Sequence, residues 1–229
     1  MRIKRHSNFF LLLFATLFSA NVYAAQFTFG VRGGFNLEGM SEKYDQGGAA
    51  VSSLKLKFKP GFQVGIVGNL DISEPFAIQY SILFATQGAR LKEDFSKIDW
   101  NGTHLRHYSS MSMNLYYLQI PINAMYKFDI GKGRFFIQGG PYFGFAIFGN
   151  AKFEEKFSGE KIDIKIDFGS EYKQMNRLDF GLGVCTGVIF GNFQLGLGYN
   201  QGLINLSNAP YTTTKNNGIA LTATYLFRK

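Results

Sequence analysis

Side chains able to do chemistry are few in this 229-residue chain, and they fall into two groups. The first is His104-Leu105-Arg106-His107, with Ser109 and Ser110 close behind. A histidine near a serine is the raw material of a hydrolase, in which the imidazole takes the hydroxyl proton. Such a site also needs an acid to orient the imidazole, and no ordered acid partner is apparent around this segment. Two histidines three apart do not bind a metal without further ligands. Both sit in a long polar stretch, so a solvated loop is the better reading. The second group is Arg32, Asp179 and Lys127, with Gln119 and Asn123. Each lies on a strand-like stretch, on the face opposite the bulky apolar side chains. A charge inside a narrow barrel is costly unless paired or wet. A structural polar network is therefore expected before a solute path. The Arg32 guanidinium cannot be neutralised by proton loss, so it needs acceptors or water. Asp179 is the expected partner, and Glu38 is a second candidate nearer the loops. Neither group points to a catalytic residue, a metal or a cofactor.

The elements that carry these residues have a strong period-2 pattern. Asn114–Gly149 reads as two long strands around a turn at Asp129–Gly133. Leu118, Ile120, Ile122, Ala124 and Tyr126 share one face, and Tyr117, Gln119, Pro121, Asn123 and Lys127 share the other. On the second strand Phe135, Ile137, Phe143, Phe145 and Ile147 oppose Gln138, Gly140, Tyr142, Gly144 and Ala146. Globular strands average about 5–6 residues, whereas a membrane-crossing strand needs roughly 9–11, which both of these reach. Bulky residues on one face and Gly, Gln and Asn on the other fit a barrel turned outward to lipid. A soluble lipocalin-like carrier would have to pack all the large side chains inside. Six further strands give the same split: Phe27–Gly39, Gly61–Asp71, Phe76–Leu91, Arg177–Phe190, Phe193–Asn205 and Gly218–Phe227. The connections alternate short (Asp71–Pro75, Asp129–Gly133, Gly191-Asn192) and long (Glu38–Lys59, Lys92–Met113, Asn150–Met175, Leu206–Asn217). Short periplasmic turns and long extracellular loops are the habit of bacterial barrels. The expected fold is thus all-β, an eight-stranded antiparallel up-and-down transmembrane β-barrel whose interior side chains can fill. Pro121 and Pro141 remove ladder donors, so broken pairing or a bulge is expected beside them.

Residues 1–24 read as a signal peptide and 25–229 as the barrel domain. Arg2, Lys4 and Arg5 precede a short apolar core at Phe9–Phe18, and Val22-Tyr23-Ala24 is a small-residue cleavage site. That core is too short for a transmembrane helix. Formal charge is +8; without Arg2, Lys4 and Arg5 it is 24 − 3 = 21 basic against 16 acidic residues, or +5. Without a basic stripe interleaved with stacking aromatics, nucleic acid is not an expected partner. Anionic headgroups of outer-membrane lipids account more simply for the surplus. The single cysteine, Cys185, excludes an intrachain disulfide and falls among small inward residues. The run Lys152–Lys173 mixes both charges and alternates from Lys161 to Phe168. It reads first as a solvated loop, and second as a strand extension above the membrane or a partner-binding edge. Trp100 sits in another long loop.

Several motifs resemble the PorT-like outer-membrane β-barrel family of Bacteroidetes: Tyr117-Leu118-Gln119-Ile120-Pro121-Ile122, Gln138-Gly139-Gly140-Pro141-Tyr142, Leu178-Asp179-Phe180-Gly181-Leu182, Tyr199-Asn200-Gln201-Gly202-Leu203-Ile204-Asn205 and Tyr225-Leu226-Phe227. Gly30-Val31-Arg32-Gly33-Gly34-Phe35-Asn36 is similar to the family's opening, and Gln119 stands where the family usually has an acid. The resemblance implies a signal peptide, a small barrel in the outer membrane and mostly no enzymatic activity. The founding member is linked to protein secretion, a role that does not follow from fold alone. The expected function is therefore that of a non-enzymatic structural or interaction protein acting through its extracellular loops. Other envelope proteins are candidate partners beside lipid. The alternatives are a small-solute pore or a component of a secretion machine, and, behind these, a lipid-modifying enzyme.

Overall fold

The computed structural model describes residues 26–46, 49–52, 57–91, 95–98, 105–131, 133–171 and 174–227. The expected signal peptide, His104 and Trp100 lie outside the described residues. Twelve strands run in chain order: β1 (Gln26–Gln46), β2 (Ala49–Ser52), β3 (Lys59–Asp71), β4 (Phe76–Gln87), β5 (Arg90–Leu91), β6 (Phe95–Ile98), β7 (Leu105–Ile130), β8 (Gly133–Glu155), β9 (Lys161–Lys165), β10 (Leu178–Phe190), β11 (Phe193–Gly202) and β12 (Thr212–Leu226). Among the described residues no helix is long and apolar enough to cross a membrane.

Eight of these strands close into an antiparallel ring. Its order is β1-β3-β4-β7-β8-β10-β11-β12, and β12 returns to pair with β1 from Gly30↔Leu226 to Tyr44↔Thr212. Consecutive ring strands are neighbours, as an up-and-down meander requires. Closure leaves no edge in the ring, so every strand there has a ladder on both sides.

The faces divide as the periodicity demands. Val31, Phe35, Ile66, Ile82, Ile120, Leu182, Leu197 and Leu221 point outward and are exposed. Thr28, Arg32, Asn36, Gln63, Gln79, Gln119, Gln138 and Thr224 point inward and are buried. Aromatic rings gather at two levels of the outer surface. One row crosses four strands: Phe62 to Phe84 and Phe84 to Tyr116 at 6.0 Å each, then Tyr116 to Phe148 at 4.2 Å. The other follows the short turns, with Phe128 against Phe135 at 6.1 Å, Phe193 against Tyr225 at 4.8 Å and Phe27 against Tyr80 at 6.0 Å. Aliphatic side chains, with the Phe143–Phe180 pair, fill the band between. An apolar belt between two aromatic girdles is the outer surface of a barrel embedded in lipid, and the girdles mark its two interfaces.

The short connections lie at one end. Between β10 and β11 the turn is Gly191-Asn192, with Phe190 opposite Phe193 and Gly191 at φ 56°. Gly131 turns β7 into β8 at φ 59°. A left-handed backbone in so tight a turn favours glycine at both places.

At the other end the strands run well past the girdle, and the loops are shorter than expected. Residues 105–113, assigned above to a loop, belong to β7, which pairs with β8 from Ile130↔Gly133 to Tyr108↔Glu155. Two register shifts interrupt this pairing, one of them between Tyr116 and Tyr117. It makes both Ile147 and Phe148 outward and shifts the alternation of β8 by one residue beyond that point. The run after Lys152 is not simply a solvated loop either. Lys161–Lys165 forms β9 against β8, with Ile162 and Ile164 packing near Phe153.

Both prolines sit where the ladder is interrupted. Pairing of β4 with β7 skips from Tyr80↔Ile122 to Leu83↔Gln119, and pairing of β7 with β8 skips from Pro121↔Tyr142 to Ala124↔Gly139. Register is the same on either side of each gap, so no residue is inserted and the faces are unchanged.

The depth of the lipid belt is testable by charge. Ile82→Arg, between the girdles, should lower folding stability in vesicles by about 2–4 kcal/mol. Ser112→Arg, on an outward position beyond the upper girdle, should cost under about 1 kcal/mol. Equal losses in urea unfolding would misplace the belt.

Candidate functional site

The lumen is layered and filled by its own side chains. Toward the short turns, Ala77, Met125, Phe136 and Ile189 form an apolar plug. Glycines on facing strands make room for it: a Cβ on Gly187 would stand 2.7 Å from the Phe136 ring. At the opposite end Met40, Ala89, Leu115, Tyr117, Ala146 and Leu206 form a second plug. Ile166, Phe168 and Met175, from the segment after β9, fold against it.

Between the plugs lies the polar interior. Arg32 is 6 % exposed. Its Nε donates to Thr224 Oγ1 at 2.8 Å, one terminal nitrogen donates to Gln79 Oε1, and the other reaches Ser81 Oγ at 3.5 Å. Gln79 passes the network on, donating to Gln194 Oε1 at 3.0 Å and Asn69 Oδ1 at 3.3 Å. A fixed cation is thus solvated by neutral oxygens in place of water. Gln119 and Asn123 line a cavity of about 60 Å³ beside Arg32, with Pro121, Gln138 and Cys185. That volume holds a few water molecules.

The expected Arg32–Asp179 pair does not form. Asp179 Oδ2 accepts from Tyr142 Oη at 3.2 Å and from Asn216 Nδ2 at 3.0 Å. Asn216 stands opposite Met40, eight residues along β1 from Arg32. At about 3.3 Å per residue that offset is roughly 26 Å along the strand, beyond the reach of an arginine. Glu38 does not serve Arg32 either; it lies in the same upper layer as Asp179, close enough for the two carboxylates to repel. Lys127 belongs to a third layer. Its Nζ donates to Asp71 Oδ1 at 2.6 Å near the short turns, where Lys127 is buried and Asp71 partly so. Of the five residues chosen from the sequence, Arg32, Asp179 and Lys127 therefore occupy separate levels of the lumen, with Gln119 and Asn123 beside Arg32.

The histidine–serine segment is not assembled into a base and a nucleophile. His107 is exposed and meets the Phe157 ring edge-on at 5.6 Å. Ser109 donates to the Glu154 carbonyl and Ser110 to Glu154 Oε2, each at 3.3 Å. Among the described residues no group of three or more His, Cys, Asp or Glu side chains could hold a metal.

A closed ring of eight antiparallel strands, belted with apolar residues and filled by polar ones, defines an outer-membrane β-barrel protein. The comparisons agree: residues 18–208 match the model of the outer membrane protein beta-barrel domain, and the chain belongs to that family. It is located in the outer membrane. No curated protein matches it. Among solved structures it is similar to Neisserial surface protein A, at 15% identity and TM-score 0.40, covering 86% of this chain and 96% of that one. It is similar also to the attachment invasion locus protein of Yersinia pestis, at 13% identity and TM-score 0.40, covering 88% and 99%. The outer membrane protease OmpT of Escherichia coli is a third, at 11% identity and TM-score 0.36, covering 90% and 98%.

Sequence reasoning missed the neutral acceptors of Arg32, the Asp71 partner of Lys127 and the two plugs. The inward parity of Gln79, Asn69 and Thr224 was the available signal, since it set them on the same face as Arg32. It missed as well a cluster above the upper girdle, where Lys59, Arg90 and Lys152 border one cleft.

Separate layers imply separate energetics. Arg32→Met should lower stability by about 1–3 kcal/mol, because buried acceptors on Gln79 and Thr224 lose their donor. Asp179→Asn keeps an acceptor for Tyr142 and Asn216 and should cost under about 1 kcal/mol. In a double-mutant cycle by urea unfolding in vesicles, the two changes should add to within about 0.5 kcal/mol.

Proposed function

We propose that this protein is a non-conducting, non-enzymatic outer-membrane barrel that serves as a structural or interaction platform. Its contacts are outer-membrane lipids at the belt and other envelope proteins above it. The motif resemblance favours a place among PorT-like barrels of Bacteroidetes, exported by way of a signal peptide, with the long connections outside the cell.

One observation carries the reading: the molecule invests its length in an extension beyond the membrane while closing its lumen. β7 and β8 are 26 and 23 residues long, more than twice what a span requires. Their outer halves, with β9, form a small sheet that ends in a five-residue strand with nothing paired on its far side among the described residues. The sequence of β9, Lys161-Ile162-Asp163-Ile164-Lys165, puts charges on its outer face. Charges of this kind guard an open edge against indiscriminate pairing while leaving it available to a complementary strand. The lumen, by contrast, has apolar plugs at both ends and a central cavity of about 60 Å³. A non-enzymatic reading is supported by Ser109 and Ser110 both donating to Glu154.

Two measurements test it together. Protein reconstituted in planar bilayers should give no stable conductance steps. A photo-crosslinking residue at Asp163 should form discrete protein adducts on intact cells, and one at Asp129, in a short turn, should not. Stable conductance without adducts at Asp163 would replace this reading with transport.

A further inference from the structure

The outer surface carries one concentration of positive charge that neither the lumen nor the β9 edge explains. It begins as a row across neighbouring strands above the upper girdle. Lys57 stands opposite Arg90, Arg90 opposite Ser112, Ser112 opposite Lys152, and Lys152 opposite Asp163. Directly opposed residues share a face, so Lys57 and Arg90 place like charges side by side, an arrangement unfavourable in isolation. Lys59 joins the group, donating its ammonium to Asn114 Oδ1. Burial lowers the Lys59 pKa from the usual lysine range, and Arg90 and Lys152 push it further down.

These residues border a cleft of about 570 Å³. Lys59, Arg90, Lys152 and Lys161 line it, against Glu154 and Asp163. Both carboxylates are already engaged: Glu154 accepts from Ser110 at 3.3 Å, and Asp163 accepts from Asn150 at 2.8 Å and lies 3.6 Å from Lys152. Four cations against two carboxylates leave the lining with a formal charge of 4 − 2 = +2. Ser112 and Asn114 add neutral polar side chains to its wall.

Its height decides what could fill it. Lys152 is four residues beyond Phe148 of the upper aromatic row. At about 3.3 Å per residue and a strand tilt near ~40°, this is roughly 10 Å above the girdle. That is the level of lipid headgroups, and Ser112 and Lys152 sit on the strand face that carries Tyr116 and Phe148 below them.

We propose that this cleft binds a phosphate group on the headgroup of an outer-leaflet glycolipid. Arg90 supplies a planar fork suited to two phosphate oxygens, Lys59 and Lys152 supply point charges, and the Ser112 hydroxyl supplies a neutral donor. The acyl chains of the same lipid would lie against the apolar belt below, so one molecule satisfies both surfaces. An anion also relieves the mutual repulsion of Lys57, Lys59, Arg90 and Lys152, which gives the cluster a reason to exist. The proposal rests on the outward orientation given above only for the leaflet that supplies the lipid; binding itself is measured in detergent.

The test uses refolded, full-length mature protein with bis-phosphorylated lipid A, the same lipid A dephosphorylated, and inorganic phosphate. Native mass spectrometry should show the phosphorylated form retained about tenfold more tightly than the dephosphorylated one, and Arg90→Gln/Lys152→Gln should erase that difference. Arg134→Gln, at the short-turn end, should leave it unchanged. Arg90→Lys/Lys152→Arg keeps the charge and should retain most of the binding, which covers the case in which the neutral pair fails to fold. In the wild-type chain, phosphorylated lipid A should slow acylation of the Lys59 amine, and the dephosphorylated form should not. Equal retention of the two lipids, or an unchanged preference in the folded neutral variant, would overturn the proposal. Protection of Lys59 by inorganic phosphate as strong as that by phosphorylated lipid A would assign the cleft to a free anion instead.

Discussion

Hydrocarbon offers no hydrogen bonds, so every backbone N–H and C=O in the belt must be paired within the protein. The β1–β12 seam meets that demand for the ring as a whole: its register runs unbroken from Gly30↔Leu226 to Tyr44↔Thr212 and converts a sheet with two open edges into a barrel with none. Much else follows from closure. Eight strands set a narrow interior, and narrowness forces glycine opposite large inward rings, as Gly187 stands beside Phe136 and Gly181 beside Tyr142. The same demand explains why Pro121 and Pro141 are felt only locally. Their gaps lie beside the central polar cavity, which Pro121 and Gly140 both line, and the register resumes unchanged beyond them.

Closure also dictates how the inward charges are handled. Water is scarce between two apolar plugs, so Arg32 must find its solvation in side chains. Neutral oxygens from two strands do this, with Thr224 on β12 and with Gln79 and Ser81 on β4. A carboxylate in the same layer would have added a second desolvated charge, whose cost an ion pair does not always offset. Arg32 and Asp179 are instead kept at different depths, with Asp179 among Tyr142 and Asn216 above, while Lys127 pairs with Asp71 below. The interior is better described as packed polar material than as a channel.

That outer surface is built by prolonging the barrel's own strands. The register shift between Tyr116 and Tyr117 moves the alternation of β8 by one residue above the membrane, while β7 keeps its own. Beyond it, Ala151 and Phe153 turn inward to pack with Ile162 and Ile164, and Lys152 and Asp163 turn outward. A single bulge thus separates a lipid-facing sheet from a charged one within the same two strands. The segment after β9 returns over the mouth, where Arg177 lies between the Phe145 and Phe168 rings at 5.4 and 5.3 Å.

The sequence by itself determined the class of protein. Side-chain parity is a local property of an extended chain, so Leu118, Ile120 and Ile122 against Tyr117, Gln119 and Asn123 could be divided between lipid and lumen without knowing any partner strand. The alternation of short and long connections then sufficed for the strand order of a meander. Only the tertiary structure decided which inward residues meet. Arg32 and Asp179 share a face but not a level, because contact inside a barrel depends on stagger between strands far apart in the chain, and stagger has no local signature. For the same reason Lys59, Arg90 and Lys152, more than ninety residues apart from first to last, were unremarkable as single charges, two in expected loops and Arg90 at the end of an expected strand. They became a cluster when the start of β3, β5, β7 and β8 aligned above the membrane.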